Sequence, residues 1–295
     1  MREFVILTDV TCDLPQSYYE KNNIPVVPFM YTIDDVDYDG TFEHSLNPHL
    51  FYEKLKSGSM AKTAAVPPDT LCRFFEHALK AGKDVVYLGF SSGLSSTYQN
   101  ACIARDEILP AYDGAVIRCV DSLCASMGQG LFVDLVLRKA GEPDIDANAL
   151  ADYAESVKQN VCHYFTVDDL HHLYRGGRVS KTAAIFGTML GIKPVLHVDE
   201  EGHLIPIGKV RGRKASLDAL VAKMGTKIEG QENPYVFISH GDCEKDAEYV
   251  AKQVKDKYGI KTKIINPIGP VIGTHSGPGT VALFFVGNDR SEKKL

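Results

Sequence analysis

The residues best placed to do chemistry are the serines of segment 89–98, which reads Gly-Phe-Ser-Ser-Gly-Leu-Ser-Ser-Thr-Tyr. The apolar run 84–88 precedes this segment, and a helical pattern continues after it to residue 104. A buried strand therefore delivers hydroxyl groups, Ser91 and Ser92 among them, to the start of a helix. Free backbone N–H groups and the positive end of the helix dipole meet at such a place. The pattern predicts a turn that binds an anion.

The same turn fits the bare pattern G-x-S-x-G of a nucleophile elbow, with Ser91 at its centre. A serine hydrolase or esterase would use Ser91 as the nucleophile and His275 as the base, together with an aspartate. The sequence contains no oxyanion loop of the HGGG type, and the long succession of strands expected for that fold is not evident. A binding site is therefore the preferred interpretation, and a serine hydrolase is the alternative.

Other small polar side chains follow predicted strands or lie in nearby loops, namely Asp9, Thr63, Asp121, His240 and His275. Open α/β sheets build their sites at the carboxyl ends of the strands. Any one of these residues alone is more often a helix cap than a ligand-binding group. Taken together, they favour one shared site at that edge of the sheet.

Two short segments concentrate positive charge around glycine: Arg175-Gly-Gly-Arg178 and Arg211-Gly-Arg213-Lys214. Guanidinium groups on flexible turns bind phosphate groups and dock acidic partners. The plainer interpretation, solvated arginines near a helix end, has equal weight for each segment alone.

The composition narrows the class of protein. The chain has 295 residues, a net charge of −6 and no apolar run near the ~20 residues of a membrane-spanning helix, so neither nucleic-acid binding nor stable membrane insertion is expected. We expect no signal peptide, and the seven cysteines, which form no C-x-x-C pair, suggest reduced thiols in the cytoplasm. There is no Walker motif and no His-x-x-x-His spacing, so we expect no cofactor and no metal site.

The chain divides near residue 160. Before that point, short apolar runs alternate with helical patterns, which predicts an α/β domain over residues 1–160: a mostly parallel sheet with helices on both faces. After it, a hairpin pattern over 193–209 is mixed with further helices and strands, including a helix over 181–190. This predicts an α+β domain with a mixed sheet over residues 161–290.

An ordered set of segments also runs nearly from end to end: Thr8-Asp9, Lys62-Thr63, residues 91–98, Val120-Asp121-Ser122, Asp169-Leu170, residues 173–178, Ile192-Lys193-Pro194, residues 211–214 and residues 268–279. In this set the chain resembles the DegV family, fatty-acid-binding proteins that serve as acyl carriers for bacterial fatty acid kinase. Two departures are residues 64–67, Ala-Ala-Val-Pro where the family commonly has Ser-Gln-Pro, and Ser96, where glycine is usual.

The resemblance implies a non-catalytic carrier with a role in phospholipid metabolism. One long-chain fatty acid would lie in a tunnel, and its carboxylate would be bound by Thr63, Ser92 and His275, with Ser91 beside them. Apolar candidates for the tunnel wall are residues 161–165, 185–186, 189–190, 192 and 268–272. A separate ATP-dependent kinase would phosphorylate the carboxylate, and the four arginines would dock that kinase or steady the acyl phosphate: Arg175, Arg178, Arg211 and Arg213.

Overall fold

A parallel sheet of four strands forms the centre of the first half of the chain. The computed structural model describes residues 2–180 and 191–292. The strands of this half are β1 (Phe4–Asp9), β2 (Val26–Val27), β3 (Tyr31–Ile33), β4 (Val36–Tyr38), β5 (Ala61–Thr63), β6 (Asp84–Gly89) and β7 (Ile117–Asp121). The parallel sheet has the order β2-β1-β6-β7, and β4-β3-β5 form a small antiparallel sheet beside it.

Helices cover both faces of the parallel sheet. They are α1 (Gln16–Lys21), α2 (Pro48–Lys56), α3 (Pro68–Lys80), α4 (Thr97–Ile108), α5 (Met127–Ala140) and α6 (Ala147–Val157). Successive residues of β6 point to opposite faces: Val85 packs in one hydrophobic cluster with Phe75 of α3, whereas Val86 packs in another with Phe132 of α5. All six residues of β6 are buried, as expected for a central strand covered on both sides.

The second half contains a mixed sheet of six strands. These are β8 (Val161–Thr166), β9 (Ile192–Val198), β10 (Leu204–Arg211), β11 (Tyr235–His240), β12 (Lys261–Pro267) and β13 (Val281–Val286). The order is β10-β9-β8-β13-β11-β12, and among the described strands of this mixed sheet only the pair β11–β12 is parallel. The helices of this half within residues 161–180 and 191–292 are α7 (His171–Arg175), α8 (Arg213–Gly225), α9 (Glu244–Tyr258) and α10 (Pro270–Ser276).

The predicted fold class is therefore confirmed: an α/β half with a parallel sheet is followed by an α+β half with a mixed sheet. The division into domains 1–160 and 161–290 stays a prediction. Strand β2 is short, because only Val26 and Val27 pair with β1. Pro28 has no N–H to give to the sheet, and the chain turns away before β3 begins. The helix predicted over 181–190 lies outside the described residues.

Helix α10 belongs to the second half by sequence but packs on the first half. The N–H of Gly269, just before α10, donates to the Oδ1 of Asp13 at 2.8 Å. The hydroxyl of Tyr52 on α2 donates to the carbonyl oxygen of Ile268 at 3.0 Å. At Gly273 the approach is so close that a Cβ atom would lie 2.6 Å from the Tyr52 hydroxyl oxygen. The position of α10 therefore depends on contacts with α2 and with the end of β1.

The substitution Tyr52→Phe tests this packing. It removes the hydroxyl and leaves the carbonyl of Ile268 without that donor, so we expect the free energy of unfolding to fall by about 1–2 kcal/mol. Urea unfolding measures the change. The control is Tyr174→Phe at an exposed tyrosine, where a change within about 0.5 kcal/mol is expected. Equal effects of the two substitutions would contradict the role given to Tyr52.

Candidate functional site

A largely apolar cavity of about 160 Å³ lies between the two halves of the chain. In the same measure one water molecule needs only ~10–15 Å³, so the space admits a much larger molecule. Helix α10 forms part of its wall. The apolar lining residues are Phe29, Phe90, Leu94, Phe165, Leu173, Val198, Leu204, Ile268, Val271, Ile272, Ala282 and Phe284, together with alanines.

A hydrogen-bonded pair from the two halves contributes to the cavity wall. Thr63 ends β5, and His275 lies in the last turn of α10. The Oγ1 of Thr63 and the Nε2 of His275 are 2.8 Å apart. Arg178, which also lines the cavity, donates from Nε to the carbonyl oxygen of Leu94 at 3.1 Å and from Nη1 to that of Gly176. The structure thus brings together three of the predicted site residues: Thr63, Arg178 and His275.

His275 is neutral in this site at neutral pH. Burial and the nearby charge of Arg178 lower the pKa of His275 to about 4. Its Nδ1 has no hydrogen-bond partner among the described residues. Gly176 lies against this atom so closely that a Cβ at position 176 would be 2.2 Å from Nδ1. The imidazole is therefore fixed on one side by Thr63 and covered on the other by the backbone of the Arg-Gly-Gly-Arg turn.

The hydroxyl groups from the 89–98 segment that line the cavity are those of Ser95 and Ser96. Ser96 is the N-cap of α4, and its side chain makes no capping hydrogen bond, whereas the Oγ of Ser95 accepts from the N–H of Thr97 at 3.3 Å. The segment is held next to the loop after Thr63 because the N–H of Val66 donates to the Oγ1 of Thr97 at 3.1 Å. The N-terminus of α4 thus lies at the cavity wall. The serines that line the wall, Ser95 and Ser96, come four residues after Ser91 and Ser92 in the chain.

Ser91 and Ser92 are not among the described residues that line the cavity. The hydroxyl of Ser91 is buried and donates to the carbonyl oxygen of Gly202, in the turn between β9 and β10, at 2.9 Å. The backbone N–H of Ser92 donates to the Oδ1 of Asp121 at 3.2 Å. The alternative of a serine hydrolase finds no support, because Ser91 bonds a carbonyl oxygen while His275 bonds Thr63, and a triad needs the serine bonded to the histidine.

The other three arginines lie in different surroundings. Arg175 is exposed and pairs with the Nδ1 of His172 at 2.9 Å. Arg211 is exposed at the end of β10. Arg213 is held by two carboxylates, with Nε 2.8 Å from Asp246 and Nη1 3.7 Å from Asp168. Their predicted role in docking stays a prediction.

A second polar part of the wall contains Thr11, which follows the strand that ends at Asp9, and also Ser126 and His163, which the sequence did not single out. The Oγ of Ser126 donates to the carboxylate of Asp13 at 2.6 Å and lies 2.9 Å from the Oγ of Ser239. Burial raises the pKa of Asp13 to about 8. The position of Ser126 between β7 and α5 is the same strand-to-helix signal that singled out Ser91. Of the predicted apolar segments, 161–165 and 268–272 contribute lining residues, and Ile192 is not among the lining residues. Segments 185–186 and 189–190 lie outside the described residues.

Comparison with known proteins identifies the family. The sequence profile described as "Uncharacterised protein, DegV family" matches residues 3–288. The chain belongs to the DegV family. A DegV domain-containing protein of Clostridium perfringens is 40% identical over 292 residues, which cover 98% of this chain and 99% of that protein. The predicted resemblance is thus confirmed.

Solved structures of DegV proteins share the fold. DegV from Bacillus subtilis, described as a fatty acid binding protein, has a TM-score of 0.84 at 26% identity and covers 98% of this chain and 100% of its own. A DegV family protein from Thermus thermophilus, solved in a study of its fatty acid binding, has a TM-score of 0.84 at 27% identity and covers 97% of this chain and 100% of its own. Within the described residues, none of the DegV chain's helices is long and apolar enough to cross a bilayer.

The lowered pKa of His275 predicts a pH-dependent stability. In the unfolded chain this histidine takes up a proton near its usual pKa of 6.5, whereas in the folded protein it does so only near 4. Stability is therefore complete above pH 6.5 and falls as the pH drops toward 4, with His275 contributing about 2 kcal/mol of loss between about pH 7.5 and pH 5.

Urea unfolding at the two pH values measures this loss in the wild type and in His275→Gln, which cannot take up the proton. We expect the loss on acidification to be smaller in the variant by about 2 kcal/mol. His44→Gln, at an exposed histidine, should retain the pH dependence of the wild type. An unchanged loss in His275→Gln would contradict the assignment.

Proposed function

We propose that this DegV protein binds one long-chain fatty acid and presents it to a separate, ATP-dependent fatty acid kinase. The observation that carries the proposal is the apolar cavity with the neutral pair Thr63–His275 in its wall. The acyl chain would fill the apolar part, and the carboxylate would lie at this pair. Fatty acid binding by the related proteins of Bacillus subtilis and Thermus thermophilus supports the same ligand class.

The energetics favour an amphipathic ligand of this kind. Each buried CH₂ group contributes about 0.8 kcal/mol, so an acyl chain of sixteen carbons gains on the order of 12 kcal/mol before the costs of binding. Burial of the carboxylate opposes this gain strongly unless the oxygens accept hydrogen bonds. Each hydrogen bond to a charged group contributes roughly 1.5–3 kcal/mol. Two or three donors at one end of the cavity therefore decide whether the head group is tolerated.

Polar side chains of the cavity wall can supply those donors. With the proton of His275 on Nε2, the imidazole donates to the Oγ1 of Thr63, and the Thr63 hydroxyl is then free to donate to a carboxylate oxygen. Ser95 and Ser96 add hydroxyls at the N-terminus of α4, where the helix dipole also favours negative charge. Arg178 contributes its positive field, because two of its nitrogens are already used by backbone carbonyl oxygens.

Such a site holds the carboxylate without neutralising it in a bidentate ion pair, so the oxygen stays nucleophilic. Phosphoryl transfer to that oxygen needs chiefly positioning and charge stabilisation, which the kinase would supply with ATP and Mg²⁺. The DegV chain is then a carrier and not an enzyme, and we propose that it works in the cytoplasm, where ATP is available. The arginines Arg175, Arg178, Arg211 and Arg213 are the proposed contacts for the kinase or the acyl phosphate.

Removal of one hydroxyl tests the head-group site. Thr63→Val keeps the shape of the side chain but removes the donor, so we expect the Kd for hexadecanoate to rise about 10- to 150-fold. Displacement of a fluorescent fatty acid measures the Kd, and native mass spectrometry followed by lipid extraction identifies what the purified protein carries. The control is Thr32→Val on the adjacent strand β3, whose hydroxyl bonds Asp37. Unchanged affinity in Thr63→Val would contradict the proposed site.

The same titration decides which serines take part. The sequence predicted Ser92, and also Ser91, as contacts of the carboxylate, whereas the cavity wall contains Ser95 and Ser96. Ser92→Ala and Ser96→Ala form a matched pair of variants on one segment. A larger loss of affinity in Ser96→Ala would move the head-group contact to the start of α4, and a larger loss in Ser92→Ala would keep it at Ser92.

A charge substitution tests the presentation step. Arg175→Ala removes an exposed guanidinium outside the cavity lining, so we expect fatty acid affinity to stay within about twofold while the rate of acyl-phosphate formation by an added fatty acid kinase falls by about tenfold. Arg73→Ala, at an exposed arginine of α3, is the control. Transfer of labelled phosphate from ATP measures the rate. An equal rate in both variants would remove Arg175 from the docking surface.

A further inference from the structure

A second cluster of ligand-bearing side chains lies outside the cavity wall. His49 and Glu53 are four residues apart on α2, a spacing that places both on one face of the helix. Asp242 comes from the connection between β11 and α9. One ligand atom of each of these three residues lies within 4.8 Å of the other two, and the Nδ1 of His49 is 2.8 Å from the Oδ1 of Asp242.

The three ligand types and their spacing suit a divalent transition metal. Imidazole nitrogen and carboxylate oxygen both bind Zn²⁺ at about 2.0–2.2 Å, so ligand atoms around one tetrahedral ion are separated by roughly 3.4 Å. The ligand atoms here lie from 2.8 Å to at most 4.8 Å apart, a range that includes that separation. The side chains of His49 and Glu53 are 71% and 53% exposed, which leaves room for water to complete the coordination.

The ammonium group of Lys56 contacts two of the three ligands, so a metal ion would compete with Lys56 for Glu53 and Asp242. Its ammonium group contacts Glu53 at 3.1 Å and also pairs with Asp242. One positive charge thus faces two carboxylates, and the side chain of Asp242 is only 17% exposed. The same contacts also fit a simpler interpretation, in which these residues form a cluster of surface ion pairs and bind no metal. Removal of Lys56 distinguishes the two interpretations, because a metal site gains affinity for Zn²⁺ when the competing ammonium group is absent, whereas a plain cluster of ion pairs binds no Zn²⁺ with or without Lys56.

We propose that His49, Glu53 and Asp242 form a binding site for a first-row divalent transition metal such as Zn²⁺. The proposal goes beyond the proposed function and does not depend on it. It also departs from the expectation of no metal site, which considered only His-x-x-x-His spacing, whereas the sequence carries His-x-x-x-Glu and takes its third ligand from 189 residues beyond Glu53.

The site would tie α2 to the second half of the chain. Phe51 and Tyr52 of α2 contact α10 around Gly273, so the element that carries two ligands also supports the helix that carries His275. An ion that binds the folded chain and not the unfolded chain raises the midpoint of thermal unfolding. We therefore expect ZnCl₂ to raise that midpoint, and MgCl₂, whose ion prefers oxygen ligands in octahedral geometry, to have little effect.

Isothermal titration of the full chain with ZnCl₂, in the presence of a phosphine reductant, tests the site. We expect one ion per chain, a Kd at least tenfold weaker in His49→Ala and in Asp242→Asn, and a tighter Kd in Lys56→Met. His44→Ala, at an exposed histidine outside the cluster, is the matched control and should keep the affinity of the wild type. Asparagine tolerates the positive φ of 58° at position 242, so Asp242→Asn should fold.

Two results would overturn the proposal. The first is Zn²⁺ binding that is unchanged in His49→Ala and Asp242→Asn, because the ion would then lie elsewhere, for example on one of the seven free cysteines. The second is the absence of binding in Lys56→Met, because that variant offers the three ligands without the competing ammonium group.

Discussion

The cavity site depends on the contacts that hold helix α10 against the first half of the chain. This helix has only seven residues, too few to be stable on its own, and it is held near both ends by the other half of the chain. Asp13 accepts a hydrogen bond from Gly269 just before its start, and Thr63 bonds His275 in its last turn. The position of α10 in the cavity wall and the orientation of the imidazole depend on these two contacts, together with the hydrogen bond from Tyr52 to Ile268.

The charges around the cavity result from the same arrangement. Burial keeps His275 uncharged, and the guanidinium of Arg178 is directed to backbone carbonyl oxygens. The wall therefore offers neutral donors together with the positive field of Arg178, whose Nε and Nη1 are already bonded to backbone carbonyl oxygens. This balance suits a ligand with one negative charge and a long apolar part, which is the class proposed above for the DegV chain.

Local patterns predicted much of the fold and part of the site. Alternating apolar runs and helical patterns indicated the two sheets, and the family resemblance pointed to Thr63 and His275 as parts of one site, whereas it gave Arg178 a docking role and not a place in the cavity wall. The hydrogen bond of Ser91 to Gly202 joins residues 111 apart in the chain, so no local pattern could predict it. The difference between Ser91 and Ser95 is about one helical turn, which periodicity does not resolve. The cluster of His49 and Asp242 spans 193 residues and is likewise a product of the tertiary fold.

The close contact between Gly176 and His275 has a consequence for protein engineering. Position 176 is not part of the described cavity lining, yet a single methyl group added there would occupy the place of the imidazole. The constraint on this turn is one of volume, separate from the charge of the arginines that flank it. A substitution at position 176 would thus displace the imidazole and disrupt the polar end of the cavity, although Thr63, His275 and every apolar residue of the wall keep their identity.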